Sequence, residues 1–135
     1  MAQSEILVAT DFSPNSQRAF DFAVDLGRRV GAKITLVHVV EPIDKPDQAD
    51  EESRLFHEQL LRQAQANLRA EFERLKEPVG DCLACLGSRV TTLITLAEER
   101  SPWMVVFGRQ AQETRQAGIG LKFLVQSPAP VLSIA

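Results

Sequence analysis

The amino-acid sequence predicts one parallel α/β sheet with helices on both faces. Two observations carry that reading. Five short apolar runs alternate with four segments of helical periodicity, the pattern of parallel strands joined by right-handed helical crossovers. The run at 34–40, Ile-Thr-Leu-Val-His-Val-Val, is almost continuously apolar, as a strand covered on both faces must be.

The chain opens on Ile-Leu-Val-Ala-Thr-Asp-Phe-Ser at 6–13, an apolar run short enough for a buried strand, with a polar end that turns into a helix. Pro14 suits a first helical position, where its missing N–H costs nothing, and Ser13 before it caps the first turn. Ala19, Phe22, Ala23, Leu26 and Val30 follow at helical spacing. Phe20, Val24 and Gly27 broaden that apolar face, and Gly31 stops the helix. In the second strand, 34–40, His38 reads as a satisfied boundary residue rather than a catalyst, because no Ser or Cys nucleophile is arranged with it. Residues 41–50, with Pro42 and Pro46, form an exposed loop.

A long helix comes next, with Phe56, Leu60, Ala64, Leu68 and Phe72 repeating every four residues and Leu61 and Leu75 widening the stripe. Glu58 and Arg62 are placed to pair on its wet side. Residues 76–80, including Pro78, end it. A short strand at 81–86 leads through Gly87 to a third helix that turns Val90, Leu93, Ile94 and Ala97 inward and stops at Ser101 and Pro102. The fourth strand, 104–107, is closed by Gly108. Residues 109–116 are polar without apolar period and read as a mobile loop, and 118–126 as a short helix. After Ser127, Pro128 and Pro130 a last apolar strand covers Val131–Ile134.

With 135 residues, 44% of them hydrophobic, the chain is sized for a single domain, 1–135, that builds its core without disulfides or metal. A net charge of −3 and a pI near 5.4 provide no pull towards nucleic acid or anionic lipid. No stretch approaches the roughly 20 apolar residues that span a bilayer, and no signal-peptide pattern opens the chain, so a cytoplasmic protein with no membrane partner is expected. Cys82 and Cys85 form a Cys-x-x-Cys. On a strand that spacing sends the two thiols to opposite faces, so they read as buried structural residues, and no further Cys or His completes a metal set.

Ligands of open parallel sheets collect beyond the carboxyl ends of the strands, and Asp11 stands at such an end beside a helix N-terminus. Two readings are open for it, contact with a ligand or hydrogen bonds to its own turn. Gly108, at the end of the fourth strand, marks a second edge of the site. No nucleophile and base are assembled: His38 and His57 are the only histidines and Ser13 is a cap, so no catalytic residue and no enzymatic activity are expected.

Four motifs in order, Ile-Leu-Val-Ala-Thr-Asp-Phe-Ser at 6–13, Leu-Val-His-Val-Val at 36–40, Val-Val-Phe-Gly at 105–108 and Pro-Ala-Pro-Val-Leu at 128–132, make the whole chain resemble the universal stress proteins of the UspA type. The resemblance implies a doubly wound, Rossmann-like sheet of five strands in which strands one and four adjoin, bringing Asp11 and Gly108 to one crevice. It also implies an antiparallel homodimer paired through Val131–Ile134, an apolar terminal edge.

In the nucleotide-binding branch of that family, Gly-x2-Gly-x9-Gly-Ser/Thr after strand four wraps the phosphates. Here Gly108 matches the first glycine, Ala111 replaces the second, Ala117 and Gly118 stand in place of Gly-Ser, and the loop is about four residues shorter. Loss of glycine where backbone amides must lie against a phosphate weakens the cradle. On the nucleoside side Asp11 and Val39 still match. Trp103, where the family often places Asp, reads as a packing or interface residue. The expectation is a non-enzymatic stress-response homodimer that acts through protein partners, needs no cofactor and carries a degenerate nucleotide loop. The alternative is a switch that binds ATP or AMP through Ala9, Thr10, Asp11, Val39, Gly108, Ala111, Ala117 and Gly118.

Overall fold

Successive side chains of a strand face opposite layers, and in this chain both layers are apolar. The computed structural model describes residues 4–43, 50–109, 123 and 126–135. In it β1 (Glu5–Ala9), β2 (Lys33–Val40), β3 (Asp81–Leu86), β4 (Met104–Gly108) and β5 (Val131–Ile134) form one sheet in the order β3-β2-β1-β4-β5, every neighbouring pair parallel. Ile6, Val8, Leu36 and Val106 meet Ala19 and Phe20 of α1 (Pro14–Val30) and Leu68 and Phe72 of α2 (Glu51–Arg74) on one face. Leu7, Val37, Val105 and Phe107 meet Leu93 and Ala97 of α3 (Arg89–Arg100), together with Phe123, on the other. The doubly wound five-stranded sheet is therefore observed, with β1 and β4 adjoining at its switch point. Of the helix expected at 118–126, Phe123 and Gln126 are described and both are helical.

Local signals set the helix ends. The Ser13 side chain accepts a hydrogen bond from Ser16 N with Pro14 at the first helical position, and Gly31, at φ 74°, donates its N–H to the Gly27 carbonyl at 2.8 Å. Asp50 caps α2 by accepting from Ser53 N at 2.8 Å.

The buried faces of two helices differ from the expected ones. On α1, Phe22 and Val30 are exposed, and the sheet-facing stripe is Ala19, Phe20, Ala23, Val24 and Gly27. The apolar arc of α1 is wider than its contact, and the centre is chosen by Phe20, which meets Phe72 edge to face at 5.0 Å. On α2, a four-residue repeat gains about 40° per step on a helix of 3.6 residues per turn, so a stripe drawn from Phe72 back to Phe56 rotates by about 160°. Ala64, Leu68 and Phe72 are buried, whereas Phe56 is exposed and His57 takes the inward place, its Nε2 accepting the Ile43 N–H at 3.2 Å. On the wet face Glu58 pairs with Arg54 at 2.5 Å rather than with Arg62.

β3 places Cys82 against the layer of α1 and α2 and Cys85 against the layer of α3, on opposite faces as expected. Both are half-buried rather than buried, because β3 is an edge strand. Burial nevertheless pushes both thiols above their ordinary range, which keeps them protonated.

At the amino ends of the strands lies a charged cluster that periodicity does not reveal. β1 begins at Glu5, one residue before the expected run. Glu5 is only 7% exposed, accepts from Thr35 Oγ1 at 2.5 Å and from Arg100 Nη2 at 2.6 Å, and Arg100 also reaches Asp81 at 3.2 Å. Burial alone would raise the Glu5 carboxyl, but the hydrogen bonds from Arg100 and Thr35 and the charges of Arg100 and Lys33 outweigh it and hold the group below its ordinary range.

Candidate functional site at the switch point

β1 ends at Ala9, and the next four residues make a turn held by its own side chains. Thr10 N extends the ladder to the Val37 carbonyl at 2.8 Å, and Thr10 Oγ1 accepts the Phe12 N–H at 2.9 Å. Asp11 Oδ1 accepts from Ser13 N at 2.9 Å and from Ser16 Oγ at 2.6 Å. Both hydrogen bonds to Oδ1 belong to the turn reading of Asp11. Phe12 sits at φ 65°, a conformation that bulky residues rarely adopt, with its ring 4.7 Å from that of His38. His38 Nδ1 lies 2.7 Å from the Thr10 carbonyl, which can only accept, so Nδ1 carries the proton. This is the boundary role expected of His38.

Beyond the ends of β1, β2 and β4 the fold leaves a crevice. It is half open, with a volume of about 50 Å³, and its apolar lining includes Val37, Leu93, Phe107 and the fully buried Phe123. Ala9, Thr10, Asp11, Val39 and Gly108, all expected at the site, line it together. Ala111, Ala117 and Gly118 lie outside the described residues.

Three lining residues escaped sequence reasoning: Ser16, Arg89 and Phe123. For Arg89 a signal existed, since it follows Gly87-Ser88 at the carboxyl end of the third strand, the same kind of position that pointed to Asp11 and Gly108. Its Nε lies 3.1 Å from Glu41 Oε1. Phe123 carries no polar signal, and its contact with Phe107, edge to face at 6.1 Å, exists only in the folded chain.

A wider groove, about 480 Å³, lies at the other end of the sheet, where Arg28 pairs with Glu77 and Lys33 with Asp81. Its cations are thus matched by carboxylates, and it lies away from the strand ends where such folds hold ligands. Among the described residues no group of three or more His, Cys, Asp or Glu is placed to hold a metal ion, and no helix is long and apolar enough to cross a membrane.

A doubly wound sheet with an apolar crevice beyond the ends of β1 and β4, edged by a carboxylate, defines the class of open α/β proteins with a switch-point site. Within that class, the model of the Universal stress protein family matches residues 4–131, and the chain belongs to this family. No curated protein matches the chain.

Solved structures similar to it include a universal stress protein in complex with cAMP, at 20% identity and TM-score 0.76, the match covering 100% of this chain and 99% of that one. UspA from Lactobacillus plantarum is 18% identical with TM-score 0.75, covering 100% of both chains. The universal stress protein of Archaeoglobus fulgidus in complex with dAMP is 20% identical with TM-score 0.64, again covering 100% of both. At these identities the likeness is one of fold.

Proposed function

We propose that the chain is a single universal stress protein domain, 1–135, that acts without catalysis as a cytoplasmic homodimer in contact with protein partners, its crevice a weakened nucleotide site. One observation carries the weakening: Ala111 and Ala117 stand where the family's phosphate loop has glycine. The hydrogen bonds that Asp11 Oδ1 accepts from Ser13 N and Ser16 Oγ support the same reading, since they occupy one of the two carboxylate oxygens. The Ile43 N–H occupies the Nε2 lone pair of His57, which supports a role without general-base chemistry at that residue.

Each lost amide contact to a charged phosphate is worth about 1.5–3 kcal/mol, so two lost contacts weaken binding by roughly two to four powers of ten. Isothermal titration with Mg·ATP tests this. The expected result is binding far weaker than micromolar and no hydrolysis. A low-micromolar dissociation constant that Asp11→Ala abolishes would reverse the reading.

A second reading, an ATP- or AMP-binding switch, is favoured by the meeting of Ala9, Thr10, Asp11, Val39 and Gly108 in one crevice, and by relatives of the same fold solved with cAMP and dAMP. Nucleotide co-purifying with the protein would favour this reading.

A further inference from the structure

α1 carries more apolar side chain than the sheet covers. Phe22 is 44% and Val30 48% exposed, and with the half-buried Leu26 they recur every four residues down one flank of the helix. The other flank belongs to α2, through Gln17 with Glu71, Asp21 with Arg74 and Arg28 with Glu77. At about 100° per residue, Phe22 and Leu26 therefore turn away from α2 and towards the edge strand β5. Leu26 packs on the same layer as Met104, Leu132 and Ile134.

The height of Phe22 along that edge follows from Arg18, whose Nε donates to the Ala135 carbonyl at 3.2 Å and ties the start of α1 to the end of β5. α1 runs antiparallel to the strands. Four residues of helix descend about 6 Å and two residues of strand about 6.6 Å, so Phe22 is about level with Ser133. Ser133 and Val131 direct their backbone groups to the open edge, since β4 takes up the carbonyls of Pro130 and Ile134. Antiparallel pairing of two such edges is isologous, and a two-fold axis opposite Ser133 keeps the whole of β5 paired with its copy. The same axis brings the Phe22 side chains of the two copies to one level on one face of the joined sheet.

We propose that the flank of α1 carrying Phe22 and Leu26 is part of the homodimer surface, closing over the seam between the two β5 strands towards the same flank of the second copy. This deepens the homodimer reading and rests on it. A four-residue edge is about 13 Å long, whereas a stable interface buries about 800 Å² on each partner, so backbone pairing alone is too narrow to hold two copies together. The apolar flank beside it supplies further area. Charge fits as well: inversion about Phe22 sets position 18 against 26, so Arg18 of one copy stands near Asp25 of the other, unlike charges beside an apolar seam. Both are exposed, and such a pair sets orientation more than affinity.

The test is sedimentation velocity of the full chain over a dilution series, on the wild type, Phe22→Leu, Phe22→Asp, Leu55→Asp and Ser133→Pro. The wild type is expected to be a dimer at micromolar concentration. Phe22→Asp should raise the dimer dissociation constant about tenfold or more, because it exchanges an apolar ring for a carboxylate that faces its own copy. Phe22→Leu should raise it less. Leu55→Asp alters a comparably exposed side chain on α2, remote from β5, and should leave it unchanged. Far-UV spectra establish folding, and Phe22→Ser carries the result if Phe22→Asp does not fold.

If the wild type dimerises and Ser133→Pro is monomeric while Phe22→Asp dimerises as tightly as wild type, the α1 flank is overturned and edge pairing stands. An intact Phe22→Asp dimer that loses a different protein bound by the wild type would give this face to that protein and equally overturn the proposal. A wild type that stays monomeric at micromolar concentration ends both readings.

Discussion

The end of β4 touches the first turn of α1 through Gly108 and Asn15, so closely that a Cβ added to Gly108 would stand 2.4 Å from the Asn15 carbonyl oxygen and 2.7 Å from Ser16 N. The Asn15 side chain, in turn, donates to the Arg109 carbonyl. A glycine at this point is thus required by packing, whatever phosphate role it has in relatives. Because the atoms in the way are backbone, they cannot rotate aside. Gly108→Ala should destabilise the fold by about 1–3 kcal/mol, read as a lower urea midpoint with unchanged slope. A midpoint equal to wild type would show that α1 shifts freely at its N-terminus.

Phe12 makes a second prediction, because its backbone and its ring pull in opposite directions. At φ 65° an L-residue costs about 1–2 kcal/mol, while the ring packs against His38 and the α1 layer. Phe12→Ala loses the packing and keeps the backbone cost, whereas Phe12→Gly loses both. The glycine variant should therefore be the more stable of the two by about 1 kcal/mol, the reverse of the usual order. Thermal melts of the pair check it, and an alanine variant that melts higher would refute it.

Glu5 links stability to acid. Its carboxyl is held below the ordinary 4.5, so the stabilisation it provides is complete above about pH 4.5 and is lost as pH falls through the folded value. Glu5→Gln has no such proton to gain. Its stability should change less than wild type as pH falls below about 4.5, measured by urea unfolding across that window. Arg100→Leu strands a buried carboxylate and should cost about 3–5 kcal/mol at neutral pH, much of it recovered in the double variant with Glu5→Gln.

The proposed homodimer has a clean edge test. Val105 N donates to the Pro130 carbonyl and Arg109 N to that of Ile134, so even-numbered residues of β5 point their backbone groups at β4. Val131 and Ser133 direct theirs to the open edge of the sheet. Leu132 packs on the α1 layer, so changing it would disturb folding as well as association. Ser133→Pro removes one outward N–H and spares the inner ladder. Light scattering should show a wild-type dimer and a Ser133→Pro monomer with a similar far-UV spectrum; a wild type that is monomeric at micromolar concentration would end the edge-pairing proposal.

Cys82 and Cys85 face opposite sides of β3, and burial keeps their thiols protonated. Mild oxidant should leave the intact mass and the melting curve unchanged. Fast loss of two hydrogens without dimer formation would mean that β3 opens easily.

Periodicity and punctuation within the sequence determined the strand and helix alternation, the double-sided burial of β2, the Ser13 cap, the stop at Gly31 and the opposite faces of the two cysteines. Each depends on residues a few positions apart, so local geometry suffices. They also placed Ala9, Thr10, Asp11, Val39 and Gly108 at strand ends, where the topology then joined them.

Only the tertiary structure decided which arc of α1 and α2 turns inward, because that choice belongs to the partner surface: Phe20 is central since Phe72 meets it, and Phe56 lies outside because a four-residue repeat rotates away from a 3.6-residue helix. It alone joined Glu5 to Arg100, 95 residues along the chain, and brought Phe123 to the crevice. Contacts at that separation are set by the order of strands in the sheet, which no local pattern of side chains encodes.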